Sequence, residues 1–103
     1  MKRYEGKRSA GKVFVTVNGR ALDPRFDLRT HSPTGFEWGY GGSGPAQLAL
    51  AILADWLGND DEAVILHQDF KRSVIASLPY RGWTLTENEI RNALTMAGLV
   101  SRR

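Results

Sequence analysis

The chain has 103 residues, a hydrophobic content of 42%, 10% aromatic residues and a net charge of +3. This length and composition are typical of one folded domain with a modest core, and they exclude a disordered tail. The sequence contains no cysteine, which excludes disulfide bonds, thiolate zinc sites and cysteine nucleophiles and fits a reducing, cytoplasmic location.

The N-terminal part of the chain predicts a β-hairpin. The start MKRYEGKR has no apolar segment behind it and is not a signal peptide, and residues 4–7 could add a short edge strand. Residues 12–20 predict a strand with three valines on one face, followed by the Asn18-Gly19 pair that a type I′ turn favours. The hairpin returns through 20–22 and stops at Pro24, which has no N–H to donate.

A loop and a second strand are predicted next. Residues 27–35 are rich in turn formers. In 36–40, Phe36, Trp38 and Tyr40 alternate with Glu37 and Gly39, which is the period of a strand with one aromatic face. Gly39 on the other side suggests that a neighbouring group approaches closely there.

Three helices follow. Residues 45–57 are apolar nearly all round and predict a buried helix, interrupted only by Gln47 and Asp55. An acidic start after Asn59 opens a second helix, expected to run to about Leu78. After a short extended piece, 82–85, a capping box opens the third helix, for which Gly98 and Leu99 provide the C-terminal cap.

The order of these elements predicts an α+β fold in a single domain, 1–103, with flexible ends at 1–3 and 101–103. We expect a small antiparallel sheet, made of the N-terminal hairpin plus the aromatic strand, packed on three helices of which the first is buried. The longest apolar run, 48–54, is too short to span a bilayer.

The glycine-rich stretch before the first helix has two interpretations. Main-chain N–H groups at such a turn can bind an anion or a nucleotide, with Gly41, Gly42, Ser43 and Gly44 as ligands and Trp38 and Tyr40 beside them. No lysine followed by Ser or Thr is present, so the stretch is not a P-loop. The interpretation we favour is a structural turn, in which Ser43 or Gly44 caps the helix and Pro45 occupies its first position.

The histidines give weak support for chemistry. His67 lies on the apolar side of the second helix and is expected in the core or at its rim. His31 lies in the loop near Asp27 and Ser32, where a hydrolase would need all three within hydrogen-bond reach. Two histidines remote in sequence do not predict a metal site. We therefore expect neither a metal, nor a cofactor, nor an enzymatic activity.

The charges are distributed in blocks. Residues 1–29 hold eight basic and three acidic residues, 30–69 hold six acidic residues and no Lys or Arg, and 70–103 hold six basic and two acidic residues. Such blocks indicate a polarised surface that could bind a protein, a nucleoprotein, a nucleic acid or a second copy of the chain. The basic residues expected to form the interaction surface are Lys7, Arg8, Lys12, Arg20 and Arg25.

The run SPTGFEWGYGGSGPAQLALAIL, with VNGRALDPR before it and GWTLTENEI after it, resembles a family of small uncharacterised domains found in bacteria, phages and plasmids. The resemblance extends from about Tyr4 to Ile90. It implies no established reaction, but it does imply an accessory protein of mobile elements, a class that includes inhibitors of host defence. Together these features favour a non-enzymatic interaction module over a small-anion binder or a hydrolase.

Overall fold

The computed structural model describes residues 1–98 and confirms the α+β prediction, with a four-stranded antiparallel sheet and three helices. Its elements in chain order are β1 Arg3–Ser9, β2 Lys12–Val17, β3 Arg20–Ala21, α1 Ser43–Leu57, α2 Asp60–Ser73, a short 3₁₀ helix Ile75–Ser77, β4 Gly82–Thr86 and α3 Glu87–Met96.

The strands are arranged in the order β3-β2-β1-β4. Asn18 and Gly19 have φ angles of 49° and 82°, as the predicted type I′ turn between β2 and β3 requires. The strand expected at 4–7 is present within β1, but its predicted position at the edge of the sheet was wrong. Tyr4 pairs with Val17 on one side and with Leu85 on the other, so β1 is a central strand.

All three helices lie on one side of the sheet. Tyr4, Val15 and Leu85 face the helices and are buried, whereas Lys7 and Phe14 on the alternate positions are exposed. We call the surface turned away from the helices the open face. Within residues 1–98 no helix covers it, and it carries Arg3, Glu5, Lys7, Lys12, Phe14 and Thr84.

Helix α1 forms the centre of the core, as predicted, and every residue from Gly44 to Ala54 is buried. Two of its polar side chains, Gln47 and Asp55, hold other segments against it. The Gln47 side chain donates to the Pro24 and Arg29 carbonyls. Its amide oxygen accepts from the N–H groups of residues 31 and 32, in the loop before α1. Asp55 accepts from the Tyr4 hydroxyl at 2.6 Å, and burial, followed by this bond, raises the pKa of that hydroxyl well above its usual range.

Two predicted elements differ from the structure. Residues 36–40 do not form the predicted strand, and within residues 1–98 no strand pairs with them. Instead β4, the predicted short extended piece, completes the sheet beside β1. Helix α2 ends at Ser73 and not near Leu78, since Val74 leaves helical geometry with φ −125° before the 3₁₀ helix begins.

The N-terminal caps of α2 and α3 match their predictions. The Asn59 side chain accepts from the Glu62 N–H, and Thr86 with Glu89 forms a complete capping box. Gly98 adopts the expected left-handed conformation with φ 72°. The predicted contact of Leu99 and the predicted flexible tail 101–103 lie outside the described residues. No helix among residues 1–98 is long and apolar enough to cross a membrane.

Candidate functional site

Arg8 holds the aromatic segment 36–40 against the sheet. Its guanidinium donates to both carboxylate oxygens of Glu37, and its Nε donates to the Tyr80 carbonyl at 2.6 Å. The guanidinium also lies over two aromatic rings, 4.6 Å from the centroid of Trp38 and 3.8 Å from that of Tyr80. Arg8 is therefore a structural residue, whose cation is occupied by intramolecular contacts.

Trp38 belongs to the core and cannot contact a ligand from solvent. It is fully buried, its Nε1 donates to the Tyr80 carbonyl at 3.0 Å, and its ring meets Trp83 edge-on at a centroid distance of 5.6 Å. The residue after it, Gly39, has φ +88°, and a Cβ there would lie 3.3 Å from the Leu78 carbonyl oxygen. The close neighbour expected at Gly39 is thus present.

The glycine-rich stretch turns the chain into α1. The N-terminal cap is Gly42, not Ser43 or Gly44, and no side chain among residues 1–98 caps this helix end. The Ala46 N–H donates to the Gly42 carbonyl, so Pro45 is the third helical residue and not the first. Its missing N–H removes no helical hydrogen bond at either position. A Cβ on Gly44 would lie 2.6 Å from Cβ of Glu37, so this glycine permits close packing.

Part of this stretch borders a groove of about 560 Å³ beside β2. Lys12, Val13 and Phe14 form one wall, and Phe36, Tyr40 and the start of α1 form the other. Phe14 and Tyr40 are each 52% exposed. Of the predicted anion ligands, Tyr40, Ser43 and Gly44 line this groove, whereas Trp38 is buried away from it.

The five basic residues of the predicted interaction surface do not lie together. Lys7 and Lys12 are exposed on the open face beside Phe14. Arg20 lies at the other end of the sheet, in a hollow of about 330 Å³ that Lys2 and Asp55 also line. Arg25 pairs with Asp27 and Asp60, and Arg8 with Glu37.

Three of the ion pairs join the basic block 1–29 to the acidic block 30–69. They are Lys2 with Asp55, Arg8 with Glu37 and Arg25 with Asp60. The Arg8 guanidinium lowers the pKa of the Glu37 carboxyl. The blocks therefore attract each other within the domain, and the charge left for a partner is smaller than the sequence pattern indicates.

The structure brings the two histidines together. Their Nε2 atoms are 2.9 Å apart, and Nδ1 of His67 lies 2.6 Å from the Val64 carbonyl, which can only accept. Hence neutral His67 carries its proton on Nδ1, and His31 donates from Nε2. Burial lowers the pKa of both imidazoles. His67 is 4% exposed, which confirms its expected place in the core.

The groups of the hydrolase hypothesis do not assemble. The His31 ring bonds to His67, Asp27 pairs with Arg25, and the Ser32 hydroxyl lies 3.4 Å from that of Thr34. No cluster of three or more metal-ligating side chains occurs within residues 1–98. The histidine pair was missed in the sequence because its members lie 36 residues apart, and the Gln47 contacts to 24–32 carry no sequence motif.

Comparisons with known proteins identify the family but no activity. The chain belongs to a family of unknown function, DUF6166, whose model matches residues 4–96. Neither the curated proteins nor the solved structures contain a significant match to the chain.

Proposed function

We propose that this protein is a non-enzymatic interaction module that binds its partner through the open face. The observation that carries the proposal is the group of exposed residues on that face. Phe14 is half-exposed, and Lys7 lies directly opposite it in the register of β1 and β2. Arg3 and Lys12 extend the same side of the sheet, where Glu5 is the acidic residue.

An exposed aromatic ring next to basic side chains can bind a partner in two ways. The ring offers an apolar contact or a stacking surface, and the lysines attract an acidic partner and accelerate its association. Neither Lys7 nor Lys12 takes part in an ion pair with another described residue. The partner we propose is an acidic protein surface or a nucleoprotein.

The proposed setting is a mobile genetic element. The resemblance of the central motif to domains of bacteria, phages and plasmids supports it, and an accessory protein such as an inhibitor of host defence needs a docking surface and no reaction of its own. Cytoplasmic location, which fits the absence of cysteine, belongs to the same proposal.

The test is capture of the partner from the native host with the phage or plasmid present. The double variant Lys7→Glu with Lys12→Glu should lose the captured partner and retain its melting temperature, because exposed charges contribute little to stability. Arg72→Glu with Arg91→Glu is the matched control, since it makes the same change in net charge on the helices. Equal loss in both variants, or retention in both, would refute the open face as the docking surface.

Salt dependence identifies the class of partner. Binding to nucleic acid weakens by about one unit of log–log slope per phosphate contact, whereas binding to a mainly apolar protein patch changes little. Titrations with random DNA, random RNA and the captured partner at low and physiological salt distinguish these cases. Salt-insensitive binding that survives Lys7→Glu with Lys12→Glu would contradict the electrostatic proposal.

A second candidate is binding of a small anion or nucleotide at the groove. The observation in its favour is that Lys12, Tyr40 and the main chain of Ser43 and Gly44 border the same groove. Titration with inorganic phosphate and with ATP, followed by the amide resonances of Ser43 and Gly44, tests it. Unchanged resonances at millimolar ligand would remove this candidate.

The proposed absence of an enzymatic activity has its own test. A screen with phosphate, ester and nucleotide substrates should show no turnover above background. Turnover that is lost in His31→Ala would overturn the proposal.

A further inference from the structure

The edge of β2 next to the groove presents unpaired main-chain groups. Antiparallel strands alternate between residues whose N–H and C=O point to one neighbour and residues whose groups point to the other. The Leu22 N–H donates to the Val15 carbonyl at 3.0 Å, so the main-chain groups of Val15 point away from β1. Val13, two residues earlier, has the same orientation, and within residues 1–98 its N–H and C=O make no hydrogen bond on that side.

The sequence after β3 explains why this edge remains open. The register pairs Thr16 with Ala21 and Val17 with Arg20, and its continuation would place Pro24 opposite Val13. A proline cannot donate to the Val13 carbonyl, and the Pro24 carbonyl is instead turned to the Gln47 side chain at 2.7 Å. The chain thus leaves the sheet before it can cover the first half of β2.

The groove runs along this open edge and has the walls that a bound strand requires. Phe14 and Tyr40 offer apolar surface on its two sides, and both are half-exposed. Lys12 lines it with an exposed ammonium. The other charged lining residue, Glu37, is neutralised by its two hydrogen bonds from Arg8. The groove is therefore positively charged.

We propose that an extended acidic peptide segment of a partner binds in this groove as an additional strand paired with Val13. Unpaired N–H and C=O groups on a strand edge are satisfied by another extended main chain. Lys12 and the positive end of the α1 dipole at the groove favour carboxylates on the peptide. The groove shares Lys12 and Phe14 with the open face, but the unpaired main chain of Val13 lies at the strand edge and not on that face, so strand pairing goes beyond the function proposed above.

The experiment uses the full chain and a phage-displayed library of random eight-residue peptides. Selection on the wild type should enrich acidic sequences, and binding of the enriched peptide should fall at least tenfold in Val13→Pro, which lacks the outward N–H. Proline is tolerated on a strand edge, and the Val13 N–H makes no bond to β1. Lys7→Glu, which changes the open face outside the groove, should bind the peptide as the wild type does.

A second measurement keeps the proposal testable if Val13→Pro does not fold. The enriched peptide should slow hydrogen exchange of the Val13 amide in the wild type, and N-methylation of alternate peptide residues should abolish binding. No enrichment, equal binding to Val13→Pro, or an unprotected Val13 amide in the complex would overturn the proposal. A concentration-dependent dimer that Val13→Pro dissociates would assign the edge to a second copy of the chain and would equally overturn it.

Discussion

Gly6 is the position at which a single methyl group should most disturb this fold. It lies in the central strand β1, and the Trp83 ring of β4 packs directly over it on the side of the helices. A Cβ on Gly6 would lie 2.4 Å from Cε2 and from Nε1 of that ring. Gly6→Ala therefore cannot be accommodated without moving the ring.

The magnitude follows from the confinement of Trp83. Carbon atoms pack at about 3.5–4.0 Å, so the ring would have to move by more than about 1 Å. It is 8% exposed and meets Trp38 edge-on at 5.6 Å, which leaves little room for that movement. We expect Gly6→Ala to lower the free energy of unfolding by about 3 kcal/mol, the upper end of the usual cost of overpacking. For a domain of this length, that corresponds to a loss of about 10–20 °C in melting temperature.

Urea unfolding followed by far-UV circular dichroism measures this change without relying on tryptophan emission. Gly41→Ala is the matched control, because a Cβ there meets nothing within 4 Å. The control should be neutral or slightly stabilising, since alanine restricts the unfolded chain.

The double variant Gly6→Ala with Trp83→Leu tests the proposed contact itself. If the clash with the ring is the cause, the smaller side chain should relieve it, and the two changes should couple by about 1–3 kcal/mol. Additive effects of the two substitutions, or a Gly6→Ala protein as stable as Gly41→Ala, would refute the packing of Trp83 on Gly6.

Three further predictions concern other contacts. Gly39→Val should destabilise by about 1–3 kcal/mol, because its φ of +88° disfavours a β-branched residue, and an unchanged melting curve would contradict the placement of this segment. Arg8→Ala should lower the free energy of unfolding in urea by about 2 kcal/mol, since it removes the hydrogen bonds to Glu37. A loss below about 0.5 kcal/mol, the usual effect of an exposed surface substitution, would contradict the structural role of Arg8. Burial lowers the pKa of His31 and His67 in the folded protein, so as the pH falls these imidazoles are protonated in the unfolded chain before they are protonated in the folded one. The free energy of unfolding should therefore decrease as the pH drops below about 6.5. Replacing both histidines with glutamine should flatten that dependence, and an unaltered slope would exclude them as its origin.

Local signals in the sequence predicted the elements that depend on local contacts. The Asn18-Gly19 turn, the Asn59 cap and the box formed by Thr86 and Glu89 each involve residues within one turn of one another. The burial of α1 was also predictable, because a helix that is apolar on nearly all sides has no polar face to expose to solvent.

Features that depend on distant contacts could not be predicted in this way. The alternation in 36–40 is real, but it arises because Trp38 enters the core while Glu37 binds Arg8. No strand in the described part of the chain pairs with this segment. The central position of β1 depends on β4, which is the last strand within residues 1–98. A period of two indicates an extended chain and does not show whether that chain has a partner.

The candidate site could be predicted only in part for the same reason. Lys7 and Lys12 were identified from their charge, and the structure leaves both exposed. Arg8 and Arg25 were identified on the same grounds, but each pairs with an acidic residue of the following block. The sequence records which charges are present, whereas the fold determines which of them remain available to a partner.

The glycine-rich stretch shows why function is better sought at the sheet than at this loop. Gly39 is required by its positive φ, Gly42 forms the cap of α1, and Gly44 allows the backbone to pass Glu37. These requirements follow from the fold and would hold without any ligand. Phe14, in contrast, exposes a large apolar ring beside two unpaired lysines, and no contact within residues 1–98 requires that exposure. A residue arrangement that the fold does not need is the stronger indication of a partner.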